Sequence, residues 1–229
     1  MNSGINTLKN DGEAECRIVL VDDHPIVRDG LIQMMSSQNG LTVCGEASSA
    51  EEALKVIEEV KPDLAIVDIF LEGANGIELT KMLHARDASL PILILSMHDE
   101  ALYAERAIRA GAMGYVMKQE ASRTIMDAIR SVMSGKRYVS DNIVNILRES
   151  ATDKGKFKFD GKIECLSLRE LDIFRLIGLG LSRSKIAEQL DISIKTVETH
   201  RANMKYKLTA GSAAELKECA EQWIKTQNL

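Results

Sequence analysis

Apolar residues in the first 140 positions fall into short unbroken runs, separated by stretches in which they recur every three or four residues. The runs Arg17–Val21 (RIVLV), Thr42–Ala47, Leu64–Asp68 (LAIVD), Pro91–Ser96 (PILILS) and Gly114–Met117 predict strands buried on both faces. The stretches between them predict amphipathic helices. The first opens with Pro25 in its first turn and is expected to point Ile26, Val27, Leu31, Met34 and Met35 inward. The second follows Ser48 and Ser49 as cap candidates, aligns Ala53, Leu54, Ile57 and Val60, and ends at Lys61-Pro62-Asp63. A loop with Gly73 and Gly76 leads into IELTKMLHA, and DEALYAERAIRAG closes at Gly111. Ala121–Ser134 carries Ile125, Ala128, Ile129 and Val132 on one stripe until Gly135. Five strand-helix units in this order predict an α/β domain, a five-stranded parallel sheet with helices on both faces.

The pattern changes after residue 137. Asn142–Arg148 forms a short amphipathic piece and runs into TDKGKFKFDGK, whose charges and glycines predict an exposed linker over residues 138–162. Four helices are then expected within residues 163–229. Ser167-Leu-Arg-Glu170 is a capping box, followed by Leu168, Leu171, Phe174, Leu176 and Ile177 until Gly178 and Gly180 break the helix. Ser182 starts a shorter helix through Ile186, Ala187 and Leu190; after the DIS turn, Ser193 caps IKTVETHRANMKYKL, and Ser212–Glu215 is a second capping box. Two short helices joined by a tight turn are a helix-turn-helix, whose second member enters the major groove of double-stranded DNA. The chain therefore divides into an α/β part at 15–137, a linker at 138–162 and a small all-α part at 163–229.

At about 100° per residue, Met204 and Leu208 lie within roughly 20° of Val197 and form the buried stripe of that second helix. Lys195, Thr199, Ala202 and Tyr206 face the other way, flanked by Glu198, Asn203 and Lys205, while His200 and Arg201 border the buried side. Lys195, Thr196, Glu198, Thr199, Arg201, Ala202, Asn203 and Lys205 are accordingly the DNA-contact candidates. Threonine and alanine suit a thymine methyl, asparagine suits adenine, glutamate accepts from cytosine N4, and lysine and arginine suit phosphates. His200 reads as a packed edge residue.

Charge separates the same two parts, at −7 over residues 1–140 and +2 over 161–229. Cys16, Cys44, Cys165 and Cys219 stand far apart without a Cys-x-x-Cys spacing, which suggests neither a zinc site nor a disulfide framework. No apolar run approaches the ~20 residues of a membrane span, and the first residues lack the pattern of a signal peptide. A cytoplasmic location with no membrane partner is the expectation.

In open α/β sheets ligands bind beyond the carboxyl ends of the strands. Here those ends carry Asp22 and Asp23, then Asp68, then Ser96, then Lys118. Carboxylates packed together repel, and a hard divalent cation such as Mg²⁺ resolves the repulsion while supporting phosphoryl transfer to a carboxylate. Asp68, central in the set, is the natural acceptor.

The segments LVDDHPIVRDGL, AIVDIFLEGANGIEL, ILILSMHDE and AGAMGYVMK resemble the receiver domain of bacterial two-component response regulators. The resemblance covers about residues 17–137 and implies a flavodoxin-like strand order. It also implies that the phosphohistidine of a sensor histidine kinase donates its phosphoryl group to Asp68, with Asp22, Asp23 and Asp68 holding Mg²⁺ and Lys118 pairing with the phosphate. Ser96 would bond the phosphoryl oxygen, and Tyr115 would swing inward as a coupled aromatic switch. One departure stands out: Glu72 occupies a place where receivers commonly carry proline, which would loosen the loop and add negative charge near the site.

The segment LSLRELDIFRLIGLGLSRSKIAEQLDISIKTVETHRANMKYKL resembles the DNA-binding domain of NarL/LuxR-type regulators. That implies a recognition helix at Lys195–Lys207, with Glu198, Thr199 and Ala202 nearest the bases, and a last helix, Ser212 to about Ile224, that contacts a second copy. Arg183, Ser184 and Lys185 depart from the usual pattern, Lys185 replacing a glutamate. Together the two resemblances imply a transcriptional regulator, not an enzyme, that dimerises on phosphorylation, binds paired DNA half-sites and has RNA polymerase as a partner. An alternative within the class is a regulator that binds DNA independently of phosphorylation. An enzyme on the same sheet is disfavoured, because there is no GxGxxG or P-loop and a phosphatase of the Asp-x-Asp kind would want an acid at His24.

Overall fold

A computed structural model describes residues 15–71, 74–97, 100–120, 122–141, 143–145, 163 and 165–226. The Glu72 substitution, Gly73 and linker residues 146–162 lie outside the described residues. The chain divides into two compact units, residues 1–147 and 148–229.

In the first unit, β1 (Cys16–Val21), β2 (Leu41–Ala47), β3 (Leu64–Val67), β6 (Ile92–Ser96) and β7 (Gly114–Met117) form a parallel sheet in the order β2-β1-β3-β6-β7. This is the flavodoxin-like order, whose direction reverses beside β1. Residues 18–21 of β1, all of β3 and all of β6 are buried, as strands covered on both faces must be. The covering helices are α1 (Pro25–Ser36), α2 (Ala50–Val60), α3 (Gly76–Arg86), α4 (Glu100–Arg109) and α5 (Ser122–Met133). Ser49, not Ser48, caps α2 by accepting from the Glu52 backbone N–H, while the Glu52 carboxylate reaches back to Ser48. Leu31 and Met35 anchor α1 in the core, with Val27, Ile32 and Met34 against its edge.

Three features differ from the sequence reading. Ile26 is 86% exposed rather than inward, because it lies five residues from Leu31, about 140° away around the helix at 100° per residue. The loop after β3 contains a two-stranded antiparallel hairpin, β4 (Phe70–Leu71) and β5 (Ala74–Asn75), too short to show as a pattern. Residues 138–145, read as the start of the linker, pack on the first unit as far as they are described. Tyr138 exchanges backbone bonds with Met113 and Tyr115 at the edge of β7, Ile143 is fully buried, and the Ser140 N–H donates to Glu100 of α4.

The second unit comprises α6 (Leu168–Gly178), α7 (Arg183–Gln189), α8 (Ile194–Leu208) and α9 (Ala213–Thr226). Ser167 and Glu170 form the reciprocal capping box of α6, and Ser182 and Ser193 cap α7 and α8. Ser212 caps α9, but Glu215 bonds the Gly211 N–H, so the second box closes one residue early. Gly178 is not a helix breaker. It is the last residue of α6, and a Cβ there would lie 2.5 Å from the Ala220 carbonyl oxygen of α9, so glycine permits the close approach. Gly180, at φ +82°, turns the chain. The core joins Phe174 to Trp223, rings 5.6 Å apart, with Ile173, Ile186, Val197, Met204, Leu208 and Leu216.

Candidate functional site

The sheet register brings the predicted carboxylates together. Val21 pairs with Val67, so Asp22 and Asp68 follow on adjacent strands, and the Asp68 N–H donates to the Val21 carbonyl. Ser96 pairs with Met117, and the Lys118 N–H donates to the Ser96 carbonyl, which fixes the other side of the site. Lys118 extends its ammonium back across the strand ends, 2.5 Å from Asp22 Oδ2 and 2.8 Å from Asp68 Oδ2. Asp68 Oδ1 accepts the Ile69 N–H at 2.7 Å. Gly76 closes the loop from below: a Cβ there would fall 1.9 Å from the Asp68 carbonyl oxygen, so no side chain fits.

Asp22, Asp68, Ser96 and Lys118 are buried, with Asp23 partly so. Burial pushes the Asp68 carboxyl above the usual carboxylate range, while the Lys118 ammonium opposes the shift. The site thus sets two buried carboxylates, Asp22 and Asp68, against the Lys118 ammonium. His24, absent from the predicted set, completes a group in which Asp22, Asp23, His24 and Asp68 each offer a ligand atom, all within 4.8 Å of one another. Its Nδ1 lies 2.6 Å from Asp23 Oδ1. Its place directly after Asp22-Asp23 was the available signal. Asp23 Oδ1 is buried, with the His24 imidazole as its near neighbour and no hydrogen bond of good geometry. Three carboxylates and an imidazole with ligand atoms this close, with Lys118 the ammonium among the described residues that pairs with them, suit a divalent cation.

Tyr115 is buried already, opposite Ile94 in the sheet, and its N–H donates to the Tyr138 carbonyl. The switch residue of the sequence reading thus sits on the strand that binds the segment leading out of the first unit.

In the second unit, Val197, Met204 and Leu208 are fully buried, as the helical spacing requires. Lys195, Glu198, Thr199, Ala202, Asn203 and Tyr206 are exposed, whereas Thr196, His200, Arg201 and Lys205 are half-buried. Thr196 is partly engaged at the helix start, where its N–H and hydroxyl meet the Ser193 hydroxyl. Burial lowers the His200 and Arg201 pKa values, and His200 Nδ1 finds no hydrogen-bond partner. Arg183 of α7 pairs with Glu198 of α8, and Lys207 pairs with the buried Glu170 of α6. In α9 the apolar residues Leu216, Cys219, Ala220, Trp223 and Ile224 fill the unit's own core, leaving Lys217, Glu218, Gln222 and Lys225 outward.

Residues 18–130 match the response regulator receiver domain, and residues 164–220 match the bacterial regulatory proteins of the luxR family. The chain is 35% identical to the response regulator UvrY of Escherichia coli (strain K12), over 87% of this chain and 90% of UvrY. The chain belongs to the LuxR-type response regulators. It is similar as well to the transcriptional activator protein ExaE of Pseudomonas putida, at 36% identity over 87% of this chain and 92% of ExaE. The crystal structure of ChrA, a response regulator in a heme-sensing two-component system, covers 92% of this chain and 98% of its own at a TM-score of 0.50 and 31% identity. This response regulator is thus a two-component, DNA-binding transcription regulator and not an enzyme. Among its described residues no helix is long and apolar enough to cross a membrane.

Proposed function

We propose that this response regulator accepts a phosphoryl group on Asp68 from a sensor histidine kinase, and that the modification controls dimerisation and promoter binding. The observation that carries the reading is the buried Asp68 carboxylate held against Lys118 beside Asp22 and Asp23. An Asp68 oxygen forms the new O–P bond as the N–P bond of the kinase phosphohistidine breaks and the imidazole leaves with the electron pair. Asp22, Asp23 and Asp68 would hold Mg²⁺, which would supply charge neutralisation for the transferring group. Lys118 then exchanges a carboxylate for a phosphoryl oxygen without leaving its place, and Ser96, fixed to Lys118 through the backbone, offers its hydroxyl to another.

Movement of Ser96 bears on β6 and β7, and so on Tyr115 and the Tyr138 segment bonded to it. That gives a physical route from the acceptor to the Tyr138 segment at the end of the first unit. The recognition helix α8 enters the major groove with Lys195, Thr196, Glu198, Thr199, Arg201, Ala202, Asn203 and Lys205 as its contact set, and a dimer places two such helices on paired half-sites. Since the apolar face of α9 is occupied, its contact with a second copy rests on polar residues. RNA polymerase is the downstream partner in this reading.

Mass spectrometry after incubation with acetyl phosphate and Mg²⁺ tests the acceptor. One phosphoryl group is expected on the wild type, none on Asp68→Ala, and none when the metal is chelated. Equal phosphorylation of the variant would refute the assignment.

A further inference from the structure

Arg183, the first residue of α7, reaches Glu198 in the second turn of α8, with Nη1 2.5 Å from Oε1. The two side chains are 59% and 51% exposed, so the pair contributes little to stability. Its placement on the DNA-facing side is what distinguishes it. Glu198 is the one acid in α8, which otherwise carries Lys195, Arg201, Lys205 and Lys207. A free carboxylate on a surface that meets a polyanion opposes binding at every sequence. That penalty is offset only where the carboxylate accepts a hydrogen bond from a base, and the amino donors in the major groove are cytosine N4 and adenine N6. Guanine O6 and N7 are acceptors and would repel it.

Arg183 changes both sides of that balance. It cancels the charge that Glu198 presents to the phosphates, and by engaging Oε1 it leaves Oε2 to accept from a base. Arg201, three residues beyond Glu198 on the same helix, is half-buried.

We propose that Arg183 is a positioning residue for base selection, holding Glu198 so that its second carboxylate oxygen accepts from the amino group of a cytosine or adenine, rather than anchoring a phosphate itself. The proposal rests on DNA recognition by α8 and deepens it.

The test uses the full chain and a randomised double-stranded DNA library. Affinity is then measured on the selected duplex, and on copies with each base pair changed, at several salt concentrations. Wild type is expected to select cytosine or adenine at one position per half-site. Glu198→Ala should relax that position roughly tenfold, within what one base contact supplies. Arg183→Gln should relax the same position and no other, on top of an even weakening caused by the freed Glu198 carboxylate, and that even weakening should disappear when Glu198→Ala is added. Arg183→Lys should restore part of the preference, because it keeps the charge without the guanidinium fork. Adding Arg183→Gln to Glu198→Ala should change nothing further at that position. The opposite pattern overturns the proposal: Arg183→Gln leaves the base preference intact, weakens all sequences evenly in the Glu198→Ala background as well, and lowers the salt slope by about one, the signature of a lost phosphate contact. If wild type selects no sequence at all, the DNA reading of α8 fails, and the role of Arg183 with it.

Discussion

Lys118 and Arg183 each hold a carboxylate at the working face of its unit, yet the two pairs obey different physics. Lys118 is 5% exposed and bridges Asp22 and Asp68 in a site closed by strand ends and by the loop that Gly76 seals. Arg183 and Glu198 meet in solvent on a helix surface. In the first setting the dielectric is low and charge must be matched inside the protein; in the second, water and salt screen it. In the proposed function the buried pair serves chemistry, where a fixed ammonium at a forming phosphate matters. In the role proposed for Arg183 the exposed pair serves recognition, where a neutralised carboxylate matters. Lys207 and Glu170 lie between these limits, the lysine 35% exposed and the glutamate buried.

This ordering predicts a graded series of stability losses, read by denaturant or thermal unfolding. Lys118→Met should have the largest effect, about 3–5 kcal/mol, because Asp22 and Asp68 are left as buried carboxylates without their cation. Its pH dependence has a definite sign. Asp68 titrates above the usual carboxylate range in the folded protein, so its ionised form is disfavoured there, and Lys118 lowers that pKa. Stability associated with Asp68 is greatest below the unfolded carboxyl pKa and is lost as pH rises through the folded one. The Lys118→Met deficit should therefore shrink on acidification, and a deficit that grows would break the account. Lys207→Met should follow at about 1–2 kcal/mol, moderated by the Ser167 N–H that Glu170 keeps. Arg183→Gln should fall below about 1 kcal/mol while changing DNA selection. An equal loss for Arg183→Gln and Lys118→Met would erase the distinction between the two units.

The smallest effect is expected at His200. Burial lowers its folded pKa below the ordinary 6.5, so the unfolded chain binds the proton more readily. Stability is then intact above the unfolded pKa and falls as pH drops through the window down to the folded one. His200→Gln should flatten that dependence in the second unit, and an unchanged profile would assign it to other groups.

The strand-helix alternation, the cap residues and the positions of Asp22, Asp68, Ser96 and Lys118 were legible in the sequence because periodicity and chain order determine them. The buried stripe Val197, Met204 and Leu208 was legible for the same reason. Features that depend on distant backbone were not. The hairpin at Phe70–Leu71 and Ala74–Asn75 is shorter than any periodicity, and Gly178 looks like a helix stop until α9 is seen against it. Tyr138 and Ile143 read as linker because their partners, Met113 and the interior of the first unit, lie far back in the chain. Likewise, the Arg183–Glu198 pair is a contact between two helices, and the sequence showed only an unusual arginine and, fifteen residues on, a base-contact candidate.

In the proposed function, charge placed on Asp68 is felt at α8. The most direct test of that coupling measures the affinity for a selected DNA site, together with oligomeric state, before and after phosphorylation of the same sample, with Asp68→Ala in parallel. Tighter binding and dimer formation in the phosphorylated wild type alone is the predicted result. Affinity and oligomeric state that do not change on phosphorylation, with Asp68→Ala binding as well as wild type, would contradict the coupling and leave a regulator that reads DNA without reference to its receiver.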